Sequence, residues 1–377
     1  METIKRALQD KITDRIRPGK AIIIYGARRV GKTVLLRKII SEYKGKTMLL
    51  NGEDYDVQTM LSNRSIANYR HLFGGIELLA IDEAQNISDI GQILKLIVDE
   101  VPGICVIASG SSSFDLLNKT GEPLVGRSYR FYLSSLSYQE IATIENPLEV
   151  VQNIETRLLY GSYPEVVTMD NNSLRKEYLQ EIAESYLLKD ILSVDGVKNA
   201  SKMKNLLRLI ALQLGSEVSY DELGKQLGMS KNTVERYLDL LSKVFVVYRV
   251  GAFARNLRKE VCKAGKWYFC DTGIRNAIIN DFTPLSLRTD VGHLWENYFI
   301  NELRKYNFNN LKQRDLYFWR TYDKQELDLV EEGDGEIRAM EIKWGNKSPK
   351  APKVFIKSYP NASYEVINKD NYYTKLS

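Results

Sequence analysis

The sequence predicts an α/β amino-terminal domain on a parallel sheet, a helical middle domain and an α+β carboxy-terminal domain, with boundaries 1–145, 146–260 and 261–377. Apolar runs at 21–25, 76–81 and 103–108 alternate with helix-period segments at 34–43 and 89–100, the pattern of parallel strands joined by crossover helices. A glycine-rich octapeptide separates the first run from the first helical segment. Near the other end, two segments of alternating polar and apolar residues flank a turn at Gly333-Asp334-Gly335. At 377 residues and 44% hydrophobic content, the chain is long enough for two or three cores.

The octapeptide Gly26-Ala27-Arg28-Arg29-Val30-Gly31-Lys32-Thr33 spells G-x-x-x-x-G-K-T, the Walker A phosphate loop, in the strand–loop–helix setting the motif requires. Gly26 and Gly31 permit tight turning, so the amides of Ala27 to Val34 cradle phosphate oxygens, and the following helix adds its positive end. Lys32 then reaches the β- and γ-phosphates, and the Thr33 hydroxyl binds Mg²⁺. Arg28 and Arg29 lie inside the loop, where one of them can hold phosphate, although neither belongs to the minimal motif. ATP and Mg²⁺ are therefore the expected ligands.

Asp82-Glu83 ends the second apolar run, about fifty residues beyond the loop. This is the Walker B arrangement: Asp82 holds Mg²⁺, directly or through water, and Glu83 polarises the attacking water as general base. At the end of the third run, Ser109 is the candidate for a side chain that touches the γ-phosphate, with Ser111 next. The alternative there is a serine-rich turn capping a helix. Arg127 reads either as an arginine finger supplied to a neighbouring subunit in a homo-oligomer, or as a surface arginine paired with a carboxylate.

In these motifs the chain resembles the prokaryotic AAA-type ATP-binding proteins that join a phosphate-loop domain to a carboxy-terminal domain of unknown function. The likeness is carried by 26–33, 78–85, 109–113 with Gly126-Arg127, 133–140, 160–166 and 269–273, and spans nearly the whole chain. It implies a P-loop NTPase, AAA-like fold that binds and hydrolyses ATP. The later motifs carry no established chemistry.

The middle has helical spacing over 150–195, broken at Tyr163-Pro164, and then a helix-turn-helix. Ser219 caps a helix carrying Leu223 and Leu227, Gly228 ends it, and Ser230 caps a second helix whose buried stripe is Val234, Tyr237, Leu238 and Leu241. The run 244–250 supplies strand residues for a wing, making a winged helix. Lys231, Asn232 and Arg236 fall at the start or exposed face of the second helix, where groove-reading side chains belong; protein contact is the alternative use. Between 201 and 260, 11 Lys or Arg stand against 6 Asp or Glu, and that difference of +5 equals the net charge of the whole chain. DNA contact is expected there first.

In the last third, an amphipathic helix over 285–305 carries Glu296 among Trp295, Tyr298, Phe299 and Leu303, and strands follow at 317–320, 326–330 and 337–342. Asp328 precedes Glu341-x-Lys343 by thirteen positions. Residues two apart on a strand share a face, and the turn returns Asp328 beside them. Asp328 and Glu341 can hold Mg²⁺ at a scissile phosphate, with Lys343 positioning the water and Glu296 as a further ligand or support. In Asp328, Glu341 and Lys343 the chain resembles the PD-(D/E)xK, restriction-endonuclease-like fold, with Leu327 where the motif has proline. The resemblance implies a metal-dependent nuclease; a fold that binds nucleic acid without cutting it is the rival. Trp267-Tyr268-Phe269 and Trp319 read as core in preference to base-stacking residues.

Composition narrows the rest. Charged residues at 27% and only 9 prolines argue against extended disorder. Cys105, Cys262 and Cys270 form no CxxC pair, and with only His71 and His293 a zinc site is not expected. No apolar run approaches the roughly 20 residues of a membrane span, and the charged start lacks a signal-peptide core. The expected protein is a cytoplasmic ATPase coupling nucleotide turnover to a DNA-binding, nuclease-like module. The alternative is an ATP-gated scaffold or regulator with a catalytically inactive module.

Overall fold

The computed structural model describes residues 4–111, 124–186, 199–254, 265–321 and 325–376. The chain forms two compact units, Met1–Leu136 with Lys243–Phe245, and Ser137–Ser242 with Val246–Ser377. Cys262, Ser112 and Ser113, singled out above, lie outside the described residues.

The first unit runs α1 (Gln9–Thr13), β1 (Ala21–Tyr25), α2 (Lys32–Glu42), β2 (Thr47–Asn51), α3 (Tyr55–Ser62), α4 (Ile66–Phe73), β3 (Leu78–Asp82), α5 (Ile90–Glu100), β4 (Cys105–Gly110) and β5 (Ser128–Tyr132). Its five strands form one parallel sheet in the order β2-β3-β4-β1-β5. The three apolar runs became the central strands, because a strand covered on both faces has no side left for polar residues. Edge strands β2 and β5 are only partly buried, so their composition carried no such signal. Helices α2 and α5 bury Leu35, Leu36 and Ile39, and Ile90, Ile93, Leu94 and Ile97, at the spacing of one helical face.

The second unit begins with helices α6 (Tyr138–Ile141), α7 (Pro147–Gln152), α8 (Ile154–Tyr160), α9 (Pro164–Thr168) and α10 (Asn172–Glu181). Pro164 opens α9 at its first position, where a missing N–H costs nothing. Then come α11 (Ala200–Leu212), α12 (Tyr220–Leu227), α13 (Lys231–Lys243), β6 (Val247–Ala252), β7 (Lys266–Phe269), α14 (Thr272–Ile279) and α15 (Val291–Asn309). Strands β8 (Asp315–Arg320), β9 (Glu326–Gly333) and β10 (Glu336–Ile342), helix α16 (Lys353–Ser358) and strand β11 (Ser363–Ile367) complete it.

A mixed sheet orders these strands β11-β10-β9-β8-β6-β7. The hairpin between β9 and β10 turns on Asp334 and Gly335, both left-handed at φ 54° and 78°, which matches the twist of paired strands. The run expected as a wing strand starts later, at Val247, and pairs with β7 on one side and β8 on the other, so it belongs to the larger sheet. The helix expected from 285 starts at Val291, because Pro284 leads only into a short 3₁₀ turn at Leu285–Leu287.

Two motifs without known chemistry meet at one junction. A Cβ on Gly161 would lie 1.8 Å from Asp271 Oδ1, and one on Gly273 would lie 2.1 Å from the Tyr160 carbonyl oxygen. Asp271 accepts from the backbone N–H groups of Ser162 (2.9 Å) and Gly273 (2.9 Å), capping α14 while tying it to α8. Asp271→Ala therefore removes a cap and leaves a buried N–H unpaired. The expected cost is about 2–4 kcal/mol of second-unit stability, read from denaturant unfolding.

Candidate nucleotide site and carboxylate cluster

The phosphate loop joins β1 to α2 at the carboxyl edge of the sheet, where open α/β sheets place ligands. Gly31 is left-handed, φ 97°, and Arg29 is too, φ 63°. Gly26 is required by crowding: a Cβ there would stand 2.0 Å from the Leu133 carbonyl oxygen. Lys32 is 4% exposed, and its Nζ donates to the carbonyls of Gly26 (3.0 Å) and Ala27 (2.8 Å), inside the loop. Ala27, Arg28 and Thr33 are half-buried, Val30 is buried, and Arg29 and Val34 are exposed. Val34 can thus contribute only its backbone amide. Sequence reasoning passed over Arg6, a buried residue that donates to the carbonyls of Val30 (2.5 Å) and Ser134 (2.7 Å) and so braces the loop from behind.

β4 lies between the strand of the phosphate loop and the strand of Asp82, with Ser109 registered against Ile24. That places the two candidate residues side by side: Ser109 Oγ donates to Asp82 Oδ1, and both are buried. Glu83 follows in a left-handed conformation, φ 49°, with its N–H donated to Asp82 Oδ1 (3.1 Å). Gln85 Nε2 donates to Glu83 Oε2 and to Ser111 Oγ (3.2 Å), so a glutamine to which the sequence reading gave no role holds the candidate base. The Thr33 hydroxyl and the Asp82 carboxylate are the hard oxygen donors that Mg²⁺ takes, and they fit that ion. Arg127 Nε pairs with Asp99 at 2.8 Å within the same unit.

In the second unit the spacing argument places its residues together. Lys343 Nζ lies 3.1 Å from Asp328 Oδ2 and 2.7 Å from Glu341 Oε1. Asp328 Oδ2 also accepts from the backbone N–H of Ile342 (2.8 Å). Glu296, on α15, is buried and accepts from the Tyr268 hydroxyl. Lys266, 4% exposed at its side chain, reaches Glu326 Oε1 at 2.6 Å and Glu296 Oε1 at 3.7 Å. Among the described residues, no three His, Cys, Asp or Glu side chains are grouped to hold a metal ion. The carboxylates Asp328, Glu341 and Glu296, expected as metal ligands, accept in this structure from ammonium, hydroxyl and amide donors. Lys266 and Tyr268 were given no part in this cluster by the sequence reading because strand pairing, not spacing, brings β7 to it; Glu326 stands two positions before Asp328 on β9, a spacing that could have marked it.

Burial pushes the Glu296 carboxyl up to about 7; Lys266 pulls it back and Asp328 pushes it further up. Burial likewise raises Glu341, with Asp328 adding and Lys343 opposing. A carboxyl whose folded value lies above its unfolded one stabilises the fold while protonated. That contribution is complete below about pH 4.5 and is lost as pH rises through about 7. Second-unit stability is expected to fall between pH 5 and 8, by at most about 3 kcal/mol, and Glu296→Gln should flatten the profile. Asp290 does not interfere. Burial alone would raise it, but hydrogen bonds from Arg288 and the charge of Arg275 hold it at about 2, below the window.

The predicted helix-turn-helix is α12 and α13, joined through left-handed Gly228. Lys231, Asn232 and Arg236 are exposed along α13, while Val234, Tyr237, Leu238 and Leu241 are buried. Among the described residues, no helix is long and apolar enough to cross a membrane.

Comparison with known proteins places this geometry. Residues 18–142 match the family model of an AAA domain, whereas 151–285 and 291–375 match domains of unknown function (DUF8612 and DUF4143). An uncharacterized protein of Mycobacterium tuberculosis is 27% identical over 328 residues, covering 85% of this chain and 70% of its own length. One from Methanocaldococcus jannaschii is 23% identical over 346 residues, covering 84% and 74%. The Walker-type ATPase of Pyrococcus abyssi superposes with TM-score 0.50 at 15% identity, covering 73% of this chain and 96% of that one, a likeness of fold. Strand order, motif placement and the domain match together give residues 18–142 an α/β P-loop NTPase fold similar to the AAA domain.

Proposed function

We propose that the protein hydrolyses ATP in its first unit and uses the cycle to control a DNA-binding second unit. The observation that carries the reading is the pairing of Asp82 with Ser109, whose strand lies next to that of the phosphate loop. Lys32 and the loop amides bind the triphosphate, with Arg28 or Arg29 as an added phosphate contact. Thr33 and Asp82 would hold Mg²⁺, which when bound neutralises phosphate charge. Glu83 accepts the proton of the attacking water, and Gln85 keeps its carboxylate aimed. Ser109 links the Asp82 carboxylate to the γ-phosphate position. Arg127 acts as a finger in a homo-oligomer only after leaving Asp99, so the cis pair is the resting state in this reading.

DNA binding is assigned to the second unit. Helices α11 to α13, the β6–β7 hairpin and the Glu217–Lys266 bridge follow the element order of a winged helix, with Lys231, Asn232 and Arg236 exposed on α13. ATP turnover measured with and without duplex and single-stranded DNA tests the coupling: a rise of several-fold is expected, and no change with any form would refute it.

A second reading gives this unit nuclease activity at Asp328, Glu341 and Lys343. It is favoured by the order α15-β8-β9-β10-α16-β11 and by the meeting of those three side chains. Cleavage lost in both Asp328→Ala and Glu341→Ala would support it, and no cleavage of any DNA or RNA form in the wild type would remove it.

A further inference from the structure

We infer that Lys266 is the resident cation of the carboxylate cluster, so that the second unit works as a metal-independent binding module. The cluster gathers Glu296, Glu326, Asp328 and Glu341 in one sheet and its adjoining helix. Four carboxylates in partial burial repel one another unless cations stand among them. Two ammonium groups supply that charge. Lys343 bridges Asp328 and Glu341 on one side. Lys266 lies at 2.6 Å from Glu326 and 3.7 Å from Glu296 on the other.

Lys266 is not a surface lysine that has folded inward. Its backbone pairs with Val250 in the β6–β7 ladder and bridges to Glu217, and the residue is 3% exposed. Strand pairing therefore fixes its Cα, and the side chain is enclosed. Tyr268, two positions along the same strand and so on the same face, donates its hydroxyl to Glu296. One strand thus delivers both an ammonium and a hydroxyl to a carboxylate that would otherwise be a metal ligand. On the opposite side the lone pairs of Asp328 Oδ2 are taken by Lys343 and by the amide of Ile342.

Inner-sphere Mg²⁺ or Mn²⁺ demands several oxygens free to converge within about 2.0–2.3 Å of one point. Here one oxygen each of Glu326, Asp328 and Glu341 is turned to a lysine nitrogen, at 2.6, 3.1 and 2.7 Å. Lys266 does electrostatically what a divalent ion would do, at half the charge, and it cannot activate water as a Lewis acid. The inference deepens the DNA-binding reading and rests on it for its biological consequence, but the cation assignment itself stands on the geometry alone.

The test is Mn²⁺ titration of the full-length protein without nucleotide, followed by electron paramagnetic resonance and calorimetry. It compares the wild type, Asp328→Asn and Lys266→Met, with circular dichroism and ATP binding as fold checks. The expected result is no stoichiometric site below about 1 mM in the wild type, unaltered by Asp328→Asn, and a site at least tenfold tighter in folded Lys266→Met. A wild-type site that disappears in Asp328→Asn overturns the inference, even if Lys266→Met fails to fold. Folded Lys266→Met without any gain also overturns it. DNA affinity, measured separately in EDTA, should be unchanged; loss of DNA binding in the wild type would sink the functional reading without touching the cation assignment.

Discussion

Lys32→Ala is expected to lower kcat/KM for ATP by at least about a thousandfold and to abolish measurable nucleotide affinity or turnover. Removing a single preorganised donor to a developing oxyanion costs about 10²–10³ in rate, and Lys32 supplies a full charge from an enclosed position. Its ammonium sits 2.8 and 3.0 Å from two loop carbonyls, so the side chain is already aimed across the phosphate cradle. Loss of these two bonds should cost about 1–3 kcal/mol in the first unit, small enough for the domain to fold. Phosphate release and calorimetry with Mg-ATP give the readout. Turnover at the wild-type rate would refute the site.

Glu83→Gln separates binding from chemistry. The amide preserves size and can still meet Gln85, but it cannot take a proton. kcat is expected to fall by about 10²–10⁴ while ATP affinity stays within a few-fold of the wild type. The left-handed backbone at Glu83 and its N–H bond to Asp82 should survive, because neither involves the lost charge. Gln85→Ala makes a useful companion. It leaves the carboxylate and removes only its donor, so a smaller loss of kcat with an unchanged affinity is expected. Equal turnover in wild type and Glu83→Gln would deny Glu83 the base role.

The candidate nucleotide site was legible because each of its proposed parts is a local pattern. A phosphate loop needs Gly26 and Gly31 at set positions, and an apolar run must deliver Asp82 to the sheet edge. Even Ser109 follows from which strand ends in a polar residue. The hidden parts have no local pattern. Arg6 acts on carbonyls at Val30 and Ser134, one of them 128 residues away, and Gln85 is one more polar residue in a turn. The Arg127–Asp99 pair was one of two readings that sequence left open, and only side-chain geometry shows that pairing.

The carboxy-terminal cluster shows the same division. Two-residue periodicity along a strand placed Glu341 with Lys343, and a two-residue turn returned Asp328 to them. Those relations span fewer than twenty residues. Which cation stands beside Glu296 and Glu326 depends on β7, which joins the sheet through β6 and carries Lys266 and Tyr268 to them. Motif identity, strand and helix periodicity and turn chemistry are properties of neighbouring residues, so the chain alone determined them. The partner of each buried charge depends on which distant strands become neighbours, and only the tertiary structure decided it, because desolvated charges must find compensation wherever the fold brings it.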